Sequence, residues 1–227
     1  MDKNYIVTID GPVGSGKSTI GRLLAVNKGL IYLDTGAMYR VVALEAHRNN
    51  IDSSDEKALQ ELCSNIKISF KQQGHGQRVF SYDRDVTDEI RKPEISMLAS
   101  RVSAVQSVRK ALVPLQREIG RNGGIVVDGR DAGTVIFPSA RFKFYLDATI
   151  KVRAKRRYKE LVEKNLKVRY SKIFKDIKQR DRDDSHRDIS PLRPADDALI
   201  IDTTEMTIED VVSRVSQEIE LRTYSLT

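Results

Sequence analysis

The stretch Gly11-Pro12-Val13-Gly14-Ser15-Gly16-Lys17-Ser18-Thr19 constrains this chain more than any other. Its pattern, Gly-x4-Gly-Lys-Ser, is that of a phosphate-binding loop (P-loop), and its flanks are the ones such a loop needs. Residues 5–9 are β-branched or aromatic and read as a buried strand, while Ile20, Leu23 and Leu24 recur at helical spacing behind it. Strand, loop and helix in that order aim successive backbone N–H groups at one point, at the positive end of the helix, which suits a phosphate chain. Lys17 then reaches the outer phosphates, and the Ser18 hydroxyl a Mg2+ ion whose remaining ligands are phosphates and water. A nucleoside triphosphate is the expected ligand; its use must be read from the rest of the chain.

Four more apolar runs, at 30–34, 125–128, 141–147 and 199–202, read as strands separated by helical material. Such strands are buried on both faces, so the expected fold is α/β: a five-stranded parallel sheet flanked by helices. All five end in aspartate, at Asp10, Asp34, Asp128, Asp147 and Asp202. Ligands of open parallel sheets collect at the strands' carboxyl ends, so the first three are expected to converge on the P-loop. Asp147 and Asp202 read as turn residues.

Between the second and third strands the period falls to two. Ile66, Ile68 and Phe70 alternate with polar residues, Gly74-His75-Gly76 and Asp83-Arg84 read as turns, and the whole predicts a small antiparallel insert. Helical periodicity over 37–48, with Met38, Val41, Val42 and Glu45 on one side, predicts a partly buried helix with Tyr39 and Arg40 near the ligand. Ser53-x-x-Glu56 offers a capping box to the next helix, which carries Leu59, Leu62 and Cys63, and Thr149 a cap to a later one. Pro114 predicts a kink or a break in the helix bearing Val108, Leu112, Leu115 and Ile119. At 227 residues the chain suits one domain: a core of 1–62, 88–148 and 196–227, an insert of about 63–87 and a helical lid of about 149–190.

Composition narrows the setting. One cysteine, Cys63, makes an internal disulfide impossible, and the start Met1-Asp2-Lys3-Asn4 has no leader character, so a cytoplasmic protein is expected. No apolar run approaches a bilayer's thickness, and His47, His75 and His186 lack metal-ligand spacing. The net charge of +7 is concentrated: residues 141–187 hold 17 Lys+Arg against 7 Asp+Glu, leaving −3 for the remainder. That segment reads either as a nucleic-acid surface or as a flap closing over polyphosphate, and the scarcity of interleaved aromatics favours the flap.

Arginine recurs at separated places, Arg40, Arg109, Arg130 and the pair Arg180 and Arg187. One triphosphate cannot use them all, so they imply a second, phosphorylated substrate. The spacing also puts Arg180, Asp184 and Arg187 on one helical face, where an i,i+4 salt-bridge ladder is the simpler alternative.

The runs Asp34-Thr35-Gly36-Ala37-Met38-Tyr39-Arg40, Gly129-Arg130-Asp131-x-Gly133-Thr134, and Arg180-Asp181-x-x-Asp184-x-x-Arg187 with Pro191-Leu192-x-Pro194-Ala195 carry a resemblance. In this order and behind this P-loop, the chain resembles the bacterial cytidylate kinases over essentially its whole length. The resemblance implies transfer of the γ-phosphoryl of ATP to CMP or dCMP with Mg2+. It implies phosphate binding by Arg40, Arg130 and Arg187, sugar contacts from Thr35, Arg180 and Asp184, and cytosine recognition by Ser100, Arg109 and Asp131. The attacking atom is then an ionised phosphate oxygen, so Lys17, Arg130 and Arg187 would act by alignment and charge neutralisation, without a protein nucleophile. Arg153, Arg156 and Arg157 are the candidate lid contacts to phosphate. A monomer without nucleic-acid or membrane partners is expected. Ala132 is smaller than the aliphatic residue expected in the Gly-Arg-Asp motif, which predicts looser packing under the base. Three other readings stand beside this one: a kinase for UMP, one for an alcohol with Asp34 as base, and a GTP switch or nucleic-acid ATPase. The switch lacks an Asn-Lys-x-Asp motif, since Asn27-Lys28 continues Gly29-Leu30.

Overall fold

The computed structural model describes residues 4–73 and 76–224, so the predicted turn at Gly74-His75 lies outside the described residues. The chain runs β1 (Ile6–Asp10), α1 (Lys17–Lys28), β2 (Ile31–Asp34), α2 (Thr35–Arg48) and α3 (Glu56–Asn65). It then crosses β3 (Ile68–Gln73), β4 (Gly76–Ser81) and β5 (Arg84–Asp85), continues through α4 (Pro93–Val102) and α5 (Gln106–Ile119), and reaches β6 (Ile125–Asp128) and β7 (Phe142–Asp147). The helical pair α6 (Ile150–Glu163) and α7 (Tyr170–His186) precedes β8 (Leu199–Asp202) and α8 (Ile208–Tyr224).

The order across the main sheet is β2-β6-β1-β7-β8, and every pairing in it is parallel. Alternation along each strand sends side chains to opposite faces. Ile125 and Val127 join the cluster under α2 and α5, whereas Val126 joins Ile20, Leu24, Phe142 and Val215 under α1 and α8. Each such aliphatic side chain contributes about 1.5–3 kcal/mol through burial. The register sets Asp34 beside Asp128 and Asp147 beside Asp202, so the strand-end aspartates line one edge.

The insert is a separate antiparallel sheet, β3-β4-β5. It is bound to the core through Glu45 of α2, whose carboxylate accepts hydrogen bonds from Ser81 and Arg48, both at 2.7 Å. Ala132 is fully buried in the larger cluster.

Several local expectations need correction. Helix α2 is buried almost all round, because α3, α4 and α5 pack on the sides that its apolar stripe leaves uncovered, and Ala43 and Ala46 are small enough to admit them. The cap of α3 is Asp55, which accepts the Ala58 N–H at 2.9 Å, rather than Ser53. Helix α5 continues through Pro114, and its buried stripe is Val108, Arg109, Leu112 and Gln116, leaving Leu115 and Ile119 exposed. Thr149 occupies the cap position of α6 but its side chain makes no capping bond. At α8, Thr207 and Asp210 cap each other reciprocally, at 3.2 and 3.0 Å.

Candidate active site

The P-loop is shaped by what lies under it. Gly11 has φ of 146°, and a Cβ there would fall 2.0 Å from the Leu146 carbonyl oxygen, so this approach of loop to β7 admits glycine alone. Gly14, with φ of 79°, is pressed in the same way against α6, its would-be Cβ 2.9 Å from the Arg153 carbonyl oxygen. Lys17 donates back to the Pro12 carbonyl at 2.7 Å, within its own loop. Ser18 Oγ donates to Asp128 Oδ2 at 2.5 Å, and the same oxygen accepts from Tyr32 at 2.9 Å.

The other strand-end aspartates divide the work. Asp10 lies behind the loop and accepts the N–H groups of Ala132 and Gly133 at 2.8 and 2.7 Å, which anchors the segment carrying Arg130 and Asp131. Asp34 caps α2 through the Ala37 N–H at 2.9 Å and pairs with Arg40 at 3.3 Å. Both its oxygens are engaged, and Arg40 and Arg91 hold its carboxyl below the usual range despite burial, which disfavours it as a base for an alcohol acceptor. Asp147 and Asp202 accept the N–H groups of Ala148 and Thr204, the local turn bonds expected of them.

One cleft of about 850 Å³ joins P-loop residues Val13 to Thr19 to Thr35, Arg40, Arg109, Arg130, Asp131, Arg180, Asp184 and Arg187. Gly11 and Pro12 form the base of the loop. Ser100 donates to Asp184 Oδ1 at 3.2 Å and borders a neighbouring hollow of about 680 Å³, beside Arg101, Arg182 and His186. Thr35 Oγ1 donates to the Asp128 carbonyl at 2.7 Å.

In the far half of the cleft, carboxylates hold the arginines. Asp131 bonds to Arg109, lies 3.8 Å from Arg187 Nη2, and is itself buried. Arg109 also stacks over the Tyr39 ring, 5.4 Å from its centroid. Asp184 accepts Arg130 Nε at 2.9 Å and has Arg180 Nε at 3.9 Å. This arrangement corrects the single helical face: α7 ends at His186, and Arg187 is extended, with φ of −68° and ψ of 141°. The turn that follows brings the Leu192 N–H onto the Asp184 carbonyl at 2.7 Å and carries the Arg187 side chain toward Asp131. Asp184 is buried, so the pair with Arg180 is not a surface ladder.

These neighbours shift the charges in opposite senses. Burial, reinforced by Arg130, lowers Lys17 to about 7 and Arg180 to about 10. Burial also opposes the Arg130 charge, but Asp184 and Asp128 outweigh it and its pKa rises. Asp184 stays below the usual carboxylate range because Arg130, Arg180 and Arg187 overcome its burial. Asp10 is pushed up to about 7 by burial, against the pull of its two N–H donors. The buried Nε of Arg180, Nη2 of Arg187 and hydroxyl of Tyr39 have no hydrogen-bond partner, and all three side chains line the cleft.

Among the basic helices, Arg156 and Arg157 line the cleft, Arg156 donating to the Thr203 carbonyl at 2.6 Å and Arg157 to Glu160 at 2.7 Å. Arg153 lies behind the P-loop instead, on protein acceptors. Sequence reasoning missed the end of the cleft next to Arg156, where Met206, Ile208 and Val211, with Thr203 and Thr207, line the wall. It also missed Arg91 and Ser103. The rule that pointed to Asp10 and Asp128 could have found Thr203, which directly follows the fifth strand.

Fold and site together define a P-loop kinase. The cytidylate kinase family profile matches residues 7–221. A cytidylate kinase of Lactobacillus johnsonii is 46% identical over 219 residues, 96% of this chain and 95% of that protein. One of Syntrophotalea carbinolica is 47% identical over 222 residues, 98% and 94% of the two chains. In three dimensions the chain is similar to the shikimate kinase of Bacteroides thetaiotaomicron, with a TM-score of 0.50 at 11% identity, over 95% of this chain and 98% of that one, a likeness of fold. The chain belongs to the cytidylate kinase family.

Proposed function

We propose that this protein transfers the γ-phosphoryl of ATP to CMP or dCMP, giving ADP and CDP or dCDP. The observation that carries the reading is the far half of the cleft: a buried carboxylate, Asp131, lies 3.8 Å from Arg187 Nη2, and that donor and the Nε of Arg180 in the same cleft have no hydrogen-bond partner. Orphaned buried donors are costly unless an anion arrives, and a monophosphate supplies one. Asp131 suits the amino group of cytosine, with Arg109 turned to the ring acceptors. Uracil offers a carbonyl where cytosine has its amino group, so it meets repulsion. Arg40, Arg130 and Arg187 take the acceptor's phosphate and Thr35, Arg180 and Asp184 the sugar, while Ser100, expected at the cytosine with Arg109 and Asp131, reaches it from the rim of the adjoining hollow, where its hydroxyl now donates to Asp184 at 3.2 Å.

In this reading Lys17 turns from Pro12 to the triphosphate, and Lys17, Arg130 and Arg187 offset the repulsion between donor and acceptor. Ser18, whose hydroxyl is presented to Asp128, would hold Mg2+, which would supply positive charge against the outer phosphates. Among the described residues there is no group of three or more His, Cys, Asp and Glu that could hold a metal. Residues 149–190 close as a lid and exclude water, with Arg156 and Arg157 facing the phosphates. Residues 63–87 form the monophosphate-side insert, and the protein works as a monomer in the cytoplasm. Among the described residues no helix is long and apolar enough to cross a membrane.

The test is ADP release from ATP and Mg2+ with CMP, dCMP, UMP, AMP, GMP or no acceptor. Turnover confined to CMP and dCMP is expected. Turnover with UMP alone would overturn the base pocket, and release independent of acceptor would make the protein an ATPase.

A further inference from the structure

Arg153 has the basic character of a phosphate-binding lid residue and the surroundings of a structural one. Its Nε donates to the Ala148 carbonyl at 2.8 Å, its Nη1 to Val13 O at 3.2 Å and Asp181 Oδ1 at 3.0 Å, and its Nη2 meets Asp181 Oδ2 at 2.7 Å. Four directed bonds nearly exhaust a guanidinium that has five N–H donors. The side chain is 7% exposed and turned behind the P-loop, so phosphate in the cleft is not its partner.

What it joins is more informative. Val13 is a P-loop residue, and its side chain packs against the apolar cluster of Ala154, Leu161, Ile173 and Ile177 that holds α6 to α7. Gly14, next in the loop, lies flush on the Arg153 backbone. Asp181 sits on α7 between Arg180 and Asp184, two residues assigned above to the acceptor. A single side chain therefore bridges the backbone of the donor loop and the helix that carries acceptor contacts.

We propose that Arg153 and Asp181 are a pair of positioning residues that fix the Val13 carbonyl of the P-loop to α7, so that closure of α7 on the acceptor also sets the donor loop. The proposal rests on the reading that α7 contacts CMP. The bidentate geometry is what makes the link stiff, since an arginine fork engaging a carboxylate fixes orientation as well as distance. A lysine at 153 keeps the charge but is a single point, and cannot hold Asp181 and Val13 together.

The test uses the full chain with Arg153→Lys, Asp181→Asn and the double substitution, each shown to be folded by its melting temperature. Asp181 is partly exposed, so its amide variant keeps the fold even where changes at Arg153 do not. The readouts are the affinity for a non-hydrolysable ATP analogue with and without CMP, and kcat and KM for each substrate. Analogue affinity is expected to fall about tenfold in Arg153→Lys and less in Asp181→Asn, with KM for CMP within about twofold of native. CMP is expected to tighten the analogue in the native chain, to lose that effect in both variants, and the double variant to be no worse than Arg153→Lys. A lowered melting temperature with native affinities overturns the proposal, as does a native chain in which CMP leaves analogue affinity unchanged. A rise confined to KM for CMP does so too, because it would make the pair part of the acceptor site. If the native chain fails to phosphorylate CMP, the acceptor reading falls, while the analogue titration in the absence of CMP still reports the tie to the P-loop.

Discussion

The two halves of the cleft hold buried positive charge in opposite ways. In the donor half, Lys17 has neutral oxygens as its near partners, the Pro12 carbonyl and the Ser15 hydroxyl, and its pKa falls to about 7. In the proposed acceptor half each guanidinium faces a carboxylate: Arg40 with Asp34, Arg109 and Arg187 with Asp131, Arg130 and Arg180 with Asp184. The difference follows from how each half is made. Glycine-rich backbone can present N–H groups to a phosphate chain without any countercharge, whereas converging arginines would repel one another in the folded chain unless acids stood between them. In the donor half Lys17 therefore has no carboxylate as a direct partner, Asp128 and Asp10 acting on it only from further off, whereas the proposed acceptor half has to exchange internal anions for the substrate's.

The largest effect should come from breaking the donor half. Lys17→Met is expected to lower kcat about 10³-fold, the loss typical of a key charge-stabilising donor. It is also expected to leave the melting temperature level or higher, because the charge removed was buried without an acidic partner. A marked loss of stability would mean that Lys17 is held by more than its neutral oxygens.

Next in size is Asp131→Ala, which should behave in the reverse manner. It leaves Arg109, itself buried, without its carboxylate, and removing one partner of a buried pair costs about 3–5 kcal/mol of folding stability. Efficiency with CMP is expected to fall at least about 10²-fold, with affinity for an ATP analogue unchanged. Selective loss of ATP affinity would show that the cleft is partitioned differently.

The contrast also accounts for what the sequence disclosed. The donor loop is contiguous, and nine residues with a strand before and a helix after already specify its geometry. The parallel sheet was equally legible, because five apolar runs alternating with helical segments admit few other arrangements. The acceptor half draws on residues from 34 to 187, and here residue types were readable while their placement was not. Arg187 illustrates the reason: an i, i+3 spacing from Asp184 reads as one helical face, but the helix stops one residue short of it, and the turn that follows decides where the side chain goes. Arg153 carries the same lesson, since a basic residue in a basic helix gives no sign of which carbonyl lies beneath it. The all-round burial of α2 was hidden because it depends on three neighbouring helices rather than on its own stripe.

The pH dependence sharpens the comparison at a smaller scale. Lys17 has a folded pKa of about 7 against 10.5 for an ordinary lysine. A depressed folded value stabilises the folded chain above the unfolded pKa, and that contribution is lost as pH falls through about 7. Triphosphate binding supplies the missing anion and restores the charge, so binding must take up protons between these limits. Calorimetry at about pH 8.5, in buffers of different ionisation enthalpy, should register uptake approaching one proton per ATP analogue bound. Asp10, at about 7, is already ionised there and does not interfere. Lys17→Met should abolish the uptake, and CMP binding, which meets arginines that stay charged, should show little.

The smallest expected effect tests whether a site made of backbone still needs side chains behind it. Thr203 Oγ1 lies 3.2 Å from the Ser15 carbonyl and 2.9 Å from that of Asp147, and accepts Arg156 Nη1 at 3.0 Å. This one buried hydroxyl lies between the end of β7, the P-loop and Arg156. Thr203→Val keeps the shape and removes the donor from the Ser15 carbonyl, while the Asp147 carbonyl keeps the Thr203 backbone N–H at 2.8 Å. The loss should be about 1 kcal/mol, read as a rise in KM for ATP of about fivefold with KM for CMP unmoved. If KM for ATP does not change, the P-loop holds its conformation through glycine geometry and the Arg153 contact, and the hydroxyl is spare. If both KM values rise together, Thr203 is transmitting through Arg156 to the lid, and the donor half is less independent of the acceptor half than their opposite charge schemes imply.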